Sequence, residues 1–90
     1  MTRKVKLLVS GRVQGVYFRR FTQNKAKQFG IKGCARNLAD GRVEIIAEAD
    51  PSSIEKFIQW CHQGPVTARV DHVEITEPES NEVFTSFEIR

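Results

Sequence analysis

The spacing of apolar residues changes period along this chain, and the order of those changes limits the folds open to it. Between Lys4 and Ser10, Val5, Leu7 and Val9 alternate with polar neighbours, the pattern of a half-buried strand. A loop with two glycines, Gly11 and Gly15, follows. From Phe18 the pattern becomes helical, with Phe18, Phe21, Ala26 and Phe29 broadly on one face and Gly30 as the stop. Gly33 to Ala39 and Arg42 to Ala49 read as strands joined at Asp40-Gly41, a dipeptide suited to the positive φ angles of a tight hairpin. Asp50-Pro51-Ser52-Ser53 opens a second helix, with Asp50 as cap and Pro51 in the first helical position. Ile54, Phe57, Ile58 and Cys61 form its buried stripe, and Gly64-Pro65 ends it. Val70 to Ile75 and Val83 to Ile89 are two more strands, separated by a polar turn with Pro78, Ser80 and Asn81.

The resulting β-α-β-β-α-β order, plus a final short strand, predicts an α+β, ferredoxin-like sandwich. One antiparallel sheet carries both helices on a single face, because crossovers are right-handed. At 90 residues there is room for one domain, residues 1–90. Hydrophobic residues make up 40% of the chain and charged residues 28%, which excludes a disordered segment. No apolar run approaches the ~20 residues a membrane span needs, and the basic N-terminus lacks the apolar stretch of a secretory signal. Two cysteines, Cys34 and Cys61, have neither zinc-ligand spacing nor the density of a disulfide scaffold. The expectation is a soluble cytoplasmic protein with reduced thiols.

Charge divides unevenly. Residues 1–42 carry +10 and residues 43–90 carry −7, leaving +3. A basic half suits an anionic partner: nucleic acid, a lipid headgroup or a phosphorylated metabolite. Equally, basic and acidic strands can pair across one sheet and cancel. Charge alone does not choose.

The chemistry-bearing stretch is Gly11-Arg12-Val13-Gln14-Gly15-Val16-Tyr17-Phe18-Arg19, between first strand and first helix. Its glycines allow turns in which successive N–H groups converge, and the helix behind adds unpaired donors and the positive end of its dipole. That is a cradle for a phosphate-sized anion, and Arg19 can add a bidentate contact. No Gly-Lys-Ser/Thr follows, so a nucleotide with magnesium is not implied. The plain alternative is a glycine turn that merely joins two elements, with Arg19 and Arg20 solvated. The loop by itself leaves both open.

Other phosphatase chemistries fit poorly. A cysteine nucleophile needs an arginine six residues on, where Cys34 has Asp40 and Cys61 has Thr67. Asp40, Asp50 and Asp71 form no Asp-x-Asp pair. A histidine nucleophile ordinarily sits among arginines, whereas His62 follows Cys61 near a helix end and His72 sits in an acidic strand; both read as surface or structural. Cys61 reads as core, and Cys34 as core or partly exposed; no feature supports pairing them. Trp60 lies off the buried stripe at a helix edge, while Tyr17 either flanks the loop mouth or sits on the surface.

The run G-R-V-Q-G-V-Y-F-R resembles the phosphate-loop motif of the acylphosphatase family. Further matches are G-C-A-R-N (Gly33 to Asn37), D-G-R-V-E (Asp40 to Glu44), G-P-V-T-A-R-V-D (Gly64 to Asp71) and the C-terminal F-E-I, so the similarity spans nearly the whole chain. The resemblance implies hydrolysis of the carboxyl-phosphate bond of acyl phosphates, without metal or organic cofactor. It implies that Arg19 binds the phosphate and Asn37 positions the attacking water. Gln14, Gly15, Val16, Tyr17 and Phe18 match the loop whose amides hold the phosphate. It further implies a monomer acting on a small-molecule acyl phosphate, with inorganic phosphate or sulfate as product or mimic and no nucleic-acid or membrane partner. Cys34 departs from the family's frequent tryptophan and Ala35 from its usual valine, which touches local packing rather than the reaction.

Residue chemistry agrees with that role. Phosphoryl transfer depends on positioning and on stabilising charge over the phosphoryl oxygens. A carboxylate leaves readily, so a strong general acid is dispensable. An asparagine both donates and accepts, so it can hold a water without adding negative charge. Two rivals stand beside this reading. One is a non-catalytic accessory domain of the same type, as found inside larger maturation proteins. The other is an RNA-binding module of the same layout, which the lack of aromatics in Arg42 to Glu48 opposes.

Overall fold

The computed structural model describes residues 1–79 and 81–90. It contains β1 (Arg3–Arg12), α1 (Phe18–Gln28), β2 (Lys32–Asn37), β3 (Val43–Ala49), α2 (Pro51–Gln63), β4 (Arg69–Thr76) and β5 (Phe87–Ile89). The strands form one sheet in the order β4-β1-β3-β2-β5. The β-α-β-β-α-β expectation and its ferredoxin-like α+β sandwich therefore hold.

Alternation places Val5, Leu7 and Val9 of β1 opposite Ala47, Ile45 and Val43 of β3, and all six are buried. Against them α2 lays Ile54, Phe57, Ile58 and Cys61, the stripe its spacing predicts. The α2 start is conventional. Pro51 occupies the first turn, and the Ser53 amide donates to the Asp50 carboxylate at 3.1 Å. Hydrogen bonds from the Ser53 hydroxyl and amide hold the Asp50 carboxyl below its ordinary pKa.

Four details depart from the sequence reading. First, Phe21 is 40% exposed, because the buried line of α1 runs through Phe18, Thr22 and Ala26. Thr22 is tolerated there because its hydroxyl donates to the Phe18 carbonyl at 2.8 Å. Second, the β2–β3 turn is a three-residue loop. The Leu38 amide donates to the Arg42 carbonyl and the Gly41 amide to the Leu38 carbonyl; of Asp40 and Gly41, only Gly41 has positive φ.

Third, the last strand is only Phe87–Ile89, and it pairs parallel to β2, so the sheet is mixed rather than wholly antiparallel. The chain reverses after β4, and β4 runs antiparallel to β2, so a returning strand beside β2 must be parallel to it. On the way, Phe84 packs on Cys34 and Ile46, on the sheet face away from the helices, while Val83 stays exposed. Covering that apolar patch outweighs continuing a strand. Ser80, in the expected polar turn, lies outside the described residues.

Fourth, Gly11 belongs to β1 and not to the loop. The β1–β4 register slips between Ser10 and Gly11, so that Ser10 faces His72 and Gly11 faces Val70. Gly11 has φ 129°, and a Cβ there would lie 2.1 Å from the Arg69 carbonyl oxygen. Gly11→Ala is expected to cost roughly 3 kcal/mol, read as a lower urea midpoint at unchanged slope.

Part of the charge asymmetry is met across the sheet. Lys4 and Lys32 both face Glu48, and Arg36 Nε lies 2.9 Å from Glu44. The face away from the helices presents Lys4, Lys6 and Leu8 on β1 and Glu44, Ile46 and Glu48 on β3, none of them aromatic, and Phe84, which packs on this face, is buried rather than open to bases.

Candidate active site

Strands β1 and β2 both run antiparallel to β3, so their C-terminal ends lie at the same edge of the sandwich. Val43 pairs with Val9 on one side and Asn37 on the other. The residues after β1 therefore emerge about two strand spacings, roughly 10 Å, from Asn37. Asn37 shares the helix-side face with Ala35 by alternation and is exposed.

Between β1 and α1, buried side chains alternate with presented ones. Val13, Val16 and Phe18 are 1%, 9% and 1% exposed, whereas Tyr17 is 79% exposed. The Phe18 ring stacks on Trp60 at 6.1 Å, which ties the start of α1 to α2. Gly15 has φ 76° with open space where a side chain would be. Tyr17 caps α1 in a left-handed conformation (φ 61°, ψ 24°), which is costly for a bulky residue.

Three distant bonds hold this loop. The Thr67 hydroxyl donates to the Val16 carbonyl at 3.0 Å, so the Tyr17 N–H, on the opposite side of that peptide, turns away from Thr67. The Gln14 amide nitrogen donates to the carbonyls of Leu38 and Arg42 at 2.8 and 2.9 Å.

The start of α1 reverses the conventions that α2 obeys. No side chain caps it, and no acid lies in its first turn. Instead Arg19 and Arg20 occupy that turn, adding positive charge at the positive end of the dipole. Such a helix start favours negative charge beside it. Arg19 Nη1 donates to the Arg90 carbonyl at 2.6 Å, which leaves the rest of the guanidinium fork for other acceptors.

A cleft of ≈ 560 Å³ opens at this point, lined among others by Gly15, Tyr17, Phe18, Arg19 and Asn37. The structure thus brings these five predicted residues together. Val16 is buried, and the Gln14 side chain points to the β2–β3 turn instead. Arg20 and Ile89 also line the cleft, and neither was singled out as a contact from the sequence. Arg20 had a signal, its place beside Arg19. Thr67 and Ile89 fall within matched motifs, but their contacts, like that of the Arg90 carbonyl, lie far away in sequence.

Side chains of rival chemistries lie elsewhere. Cys61 is fully buried in the main core and Cys34 is buried beneath Phe84 on the other side of the sheet; both thiols are free, and burial pushes both thiol pKa values up. His62 and His72 are exposed. Among the described residues, no three His, Cys, Asp or Glu side chains group as a metal site.

Fold and cleft together define a ferredoxin-like α+β protein with an open, arginine-lined cleft where its first strand meets its first helix. The acylphosphatase family model matches residues 5–89, and the chain belongs to that family. An acylphosphatase of Marinobacter nauticus is 51% identical over 81 residues, covering 90% of this chain and 88% of its own. The crystal structure of acylphosphatase from Bacillus subtilis matches with TM-score 0.90 at 36% identity, covering 100% of this chain and 99% of that one. The crystal structure of T. kodakarensis HypF also matches, with TM-score 0.85 at 31% identity, over 100% of this chain but 12% of that chain. The protein is accordingly an enzyme that hydrolyses small-molecule acyl phosphates to carboxylate and inorganic phosphate.

Proposed function

We propose that Arg19 and Asn37 carry this hydrolysis, with the amides of Gln14 to Phe18 as the phosphate cradle. The observation that carries the reading is the start of α1: an uncapped, left-handed helix entry with two arginines, opening into the cleft that Asn37 lines. The phosphate dianion supplies the negative charge this helix end lacks. Arg19 grips two phosphoryl oxygens, and Asn37 holds a water in line with the scissile bond. The water oxygen bonds to phosphorus as the phosphorus–oxygen bond to the acyl group breaks. The bonding pair leaves with the carboxylate, and the water proton passes to a phosphate oxygen of the substrate.

Arg19 and the backbone amides supply the positive potential, so the reaction requires no metal or organic cofactor. Residues 1–90 act as one domain and as a monomer, since both assigned side chains come from the same chain. Free, buried thiols suit a reducing cytoplasm. No nucleic acid or membrane is involved; the sheet's outer face carries paired charges, and none of the described helices is long and apolar enough to cross a membrane. The accessory-domain alternative, suggested by the HypF match, has the same fold but predicts no turnover by this chain alone.

The test is phosphate release from acetyl phosphate and benzoyl phosphate by the purified chain. Hydrolysis is expected with and without EDTA, and inorganic phosphate is expected to inhibit. Activity that EDTA removes would overturn the metal-free assignment, and absence of turnover would favour the accessory role.

A further inference from the structure

We infer that the side chain of Gln14 is a positioning residue for the hydrolysis, acting through Asn37 and not through the phosphate cradle. The inference rests on the assignment of Asn37 above. Asn37 is the last residue of β2, and its side-chain amide is exposed. Among the described residues that amide makes no hydrogen bond, so its place follows from its backbone. The backbone immediately beyond is the loop from Leu38 to Arg42. Both carbonyls at the base of that loop accept a bond from the loop itself, Leu38 from the Gly41 amide at 3.2 Å and Arg42 from the Leu38 amide at 2.8 Å.

Gln14 Nε2 reaches across from the β1–α1 segment and bonds both of these carbonyls a second time, at 2.8 and 2.9 Å. Each carbonyl oxygen has two lone pairs, and each now uses both. The two partners are acceptors only, so the nitrogen of Gln14 must face them, and one –NH₂ group serves both. The contact is half-buried, where such bonds are less exposed to water than at the surface. The same residue that contributes its amide to the cradle therefore clamps the turn carrying Asn37. The distance between bound phosphorus and the aligned water depends on this clamp. Glutamate lacks the donors, and asparagine is one methylene shorter.

Gln14→Met keeps length and flexibility and removes both donors. It is expected to lower kcat for acetyl phosphate roughly 10- to 100-fold, the cost of an ångström-scale misplacement, while inorganic phosphate inhibits as before. In an Asn37→Ala background the same substitution is expected to change kcat less than twofold. Gln14→Glu, with the same shape but acceptors facing acceptors, is expected to lose at least as much and is the reading to use where the methionine variant does not fold. Unchanged kcat in the folded variant would overturn the inference, as would a loss accompanied by weaker phosphate inhibition or one that adds in full to Asn37→Ala. Normal turnover by Asn37→Ala alone would instead remove the site assignment on which it rests.

Discussion

Arg19→Ala is expected to abolish acyl phosphate hydrolysis, with kcat/KM falling roughly 10³-fold or more, in the range known for arginines that stabilise a transferring phosphoryl group. The side chain sits in the first turn of a helix that otherwise has no cap and no first-turn acid. One guanidinium nitrogen is engaged by the Arg90 carbonyl, which holds the fork at the cleft wall and leaves its other N–H donors available. Truncation removes charge and bidentate geometry together, so phosphate inhibition is expected to weaken in parallel with turnover. Arg19→Lys restores the charge without the fork and is expected to recover only a small part of the activity. Folding is expected to change little, because the lost bond is exposed and the helix keeps Phe18, Thr22 and Ala26 in the core. Steady-state kinetics, phosphate inhibition and a urea melt separate these effects. A variant that turns over normally would remove Arg19 from the mechanism.

Asn37→Ala is expected to separate binding from chemistry. Its side chain lines the cleft from the end of β2, whereas the proposed cradle lies on the segment between β1 and α1. Removing it leaves the cradle and Arg19 in place, so inorganic phosphate is expected to inhibit as in the native protein. The loss falls on kcat, roughly 10²- to 10³-fold, because water is no longer held in line. Asn37→Asp keeps an acceptor but sets a negative charge beside the phosphate, so its KM is expected to rise as well. Unchanged kcat in the alanine variant would remove the role assigned to Asn37, and loss of phosphate inhibition would place Asn37 in the cradle.

Helix α2 shows how much a local pattern can carry. Asp50, Pro51 and the stripe from Ile54 to Cys61 stand where capping and spacing place them. Helix α1 shows where it fails: Phe21 looks like a core residue by hydrophobicity, yet the line facing the sheet runs through the polar Thr22. Spacing locates a face only to within a residue or so where, as in α1, few apolar residues mark it. Val83 to Ser86 misled for a different reason. Phe84 is drawn to a patch made by Cys34 and Ile46, which exists only once the sheet has formed.

The order of strands and helices, the second helix with its cap, and the glycine- and arginine-bearing segment that lines the cleft are legible in the residue pattern alone. These follow from preferences that act over a few neighbouring residues. The Gly11 strand slip, the parallel pairing of the final strand with β2, and the bonds of Gln14, Thr67 and Arg90 that brace the cleft arise on folding. The bonds concerned span 24 to 71 residues. Such contacts have no local signature, because register and crossover, which set them, arise only as the strands align into a sheet.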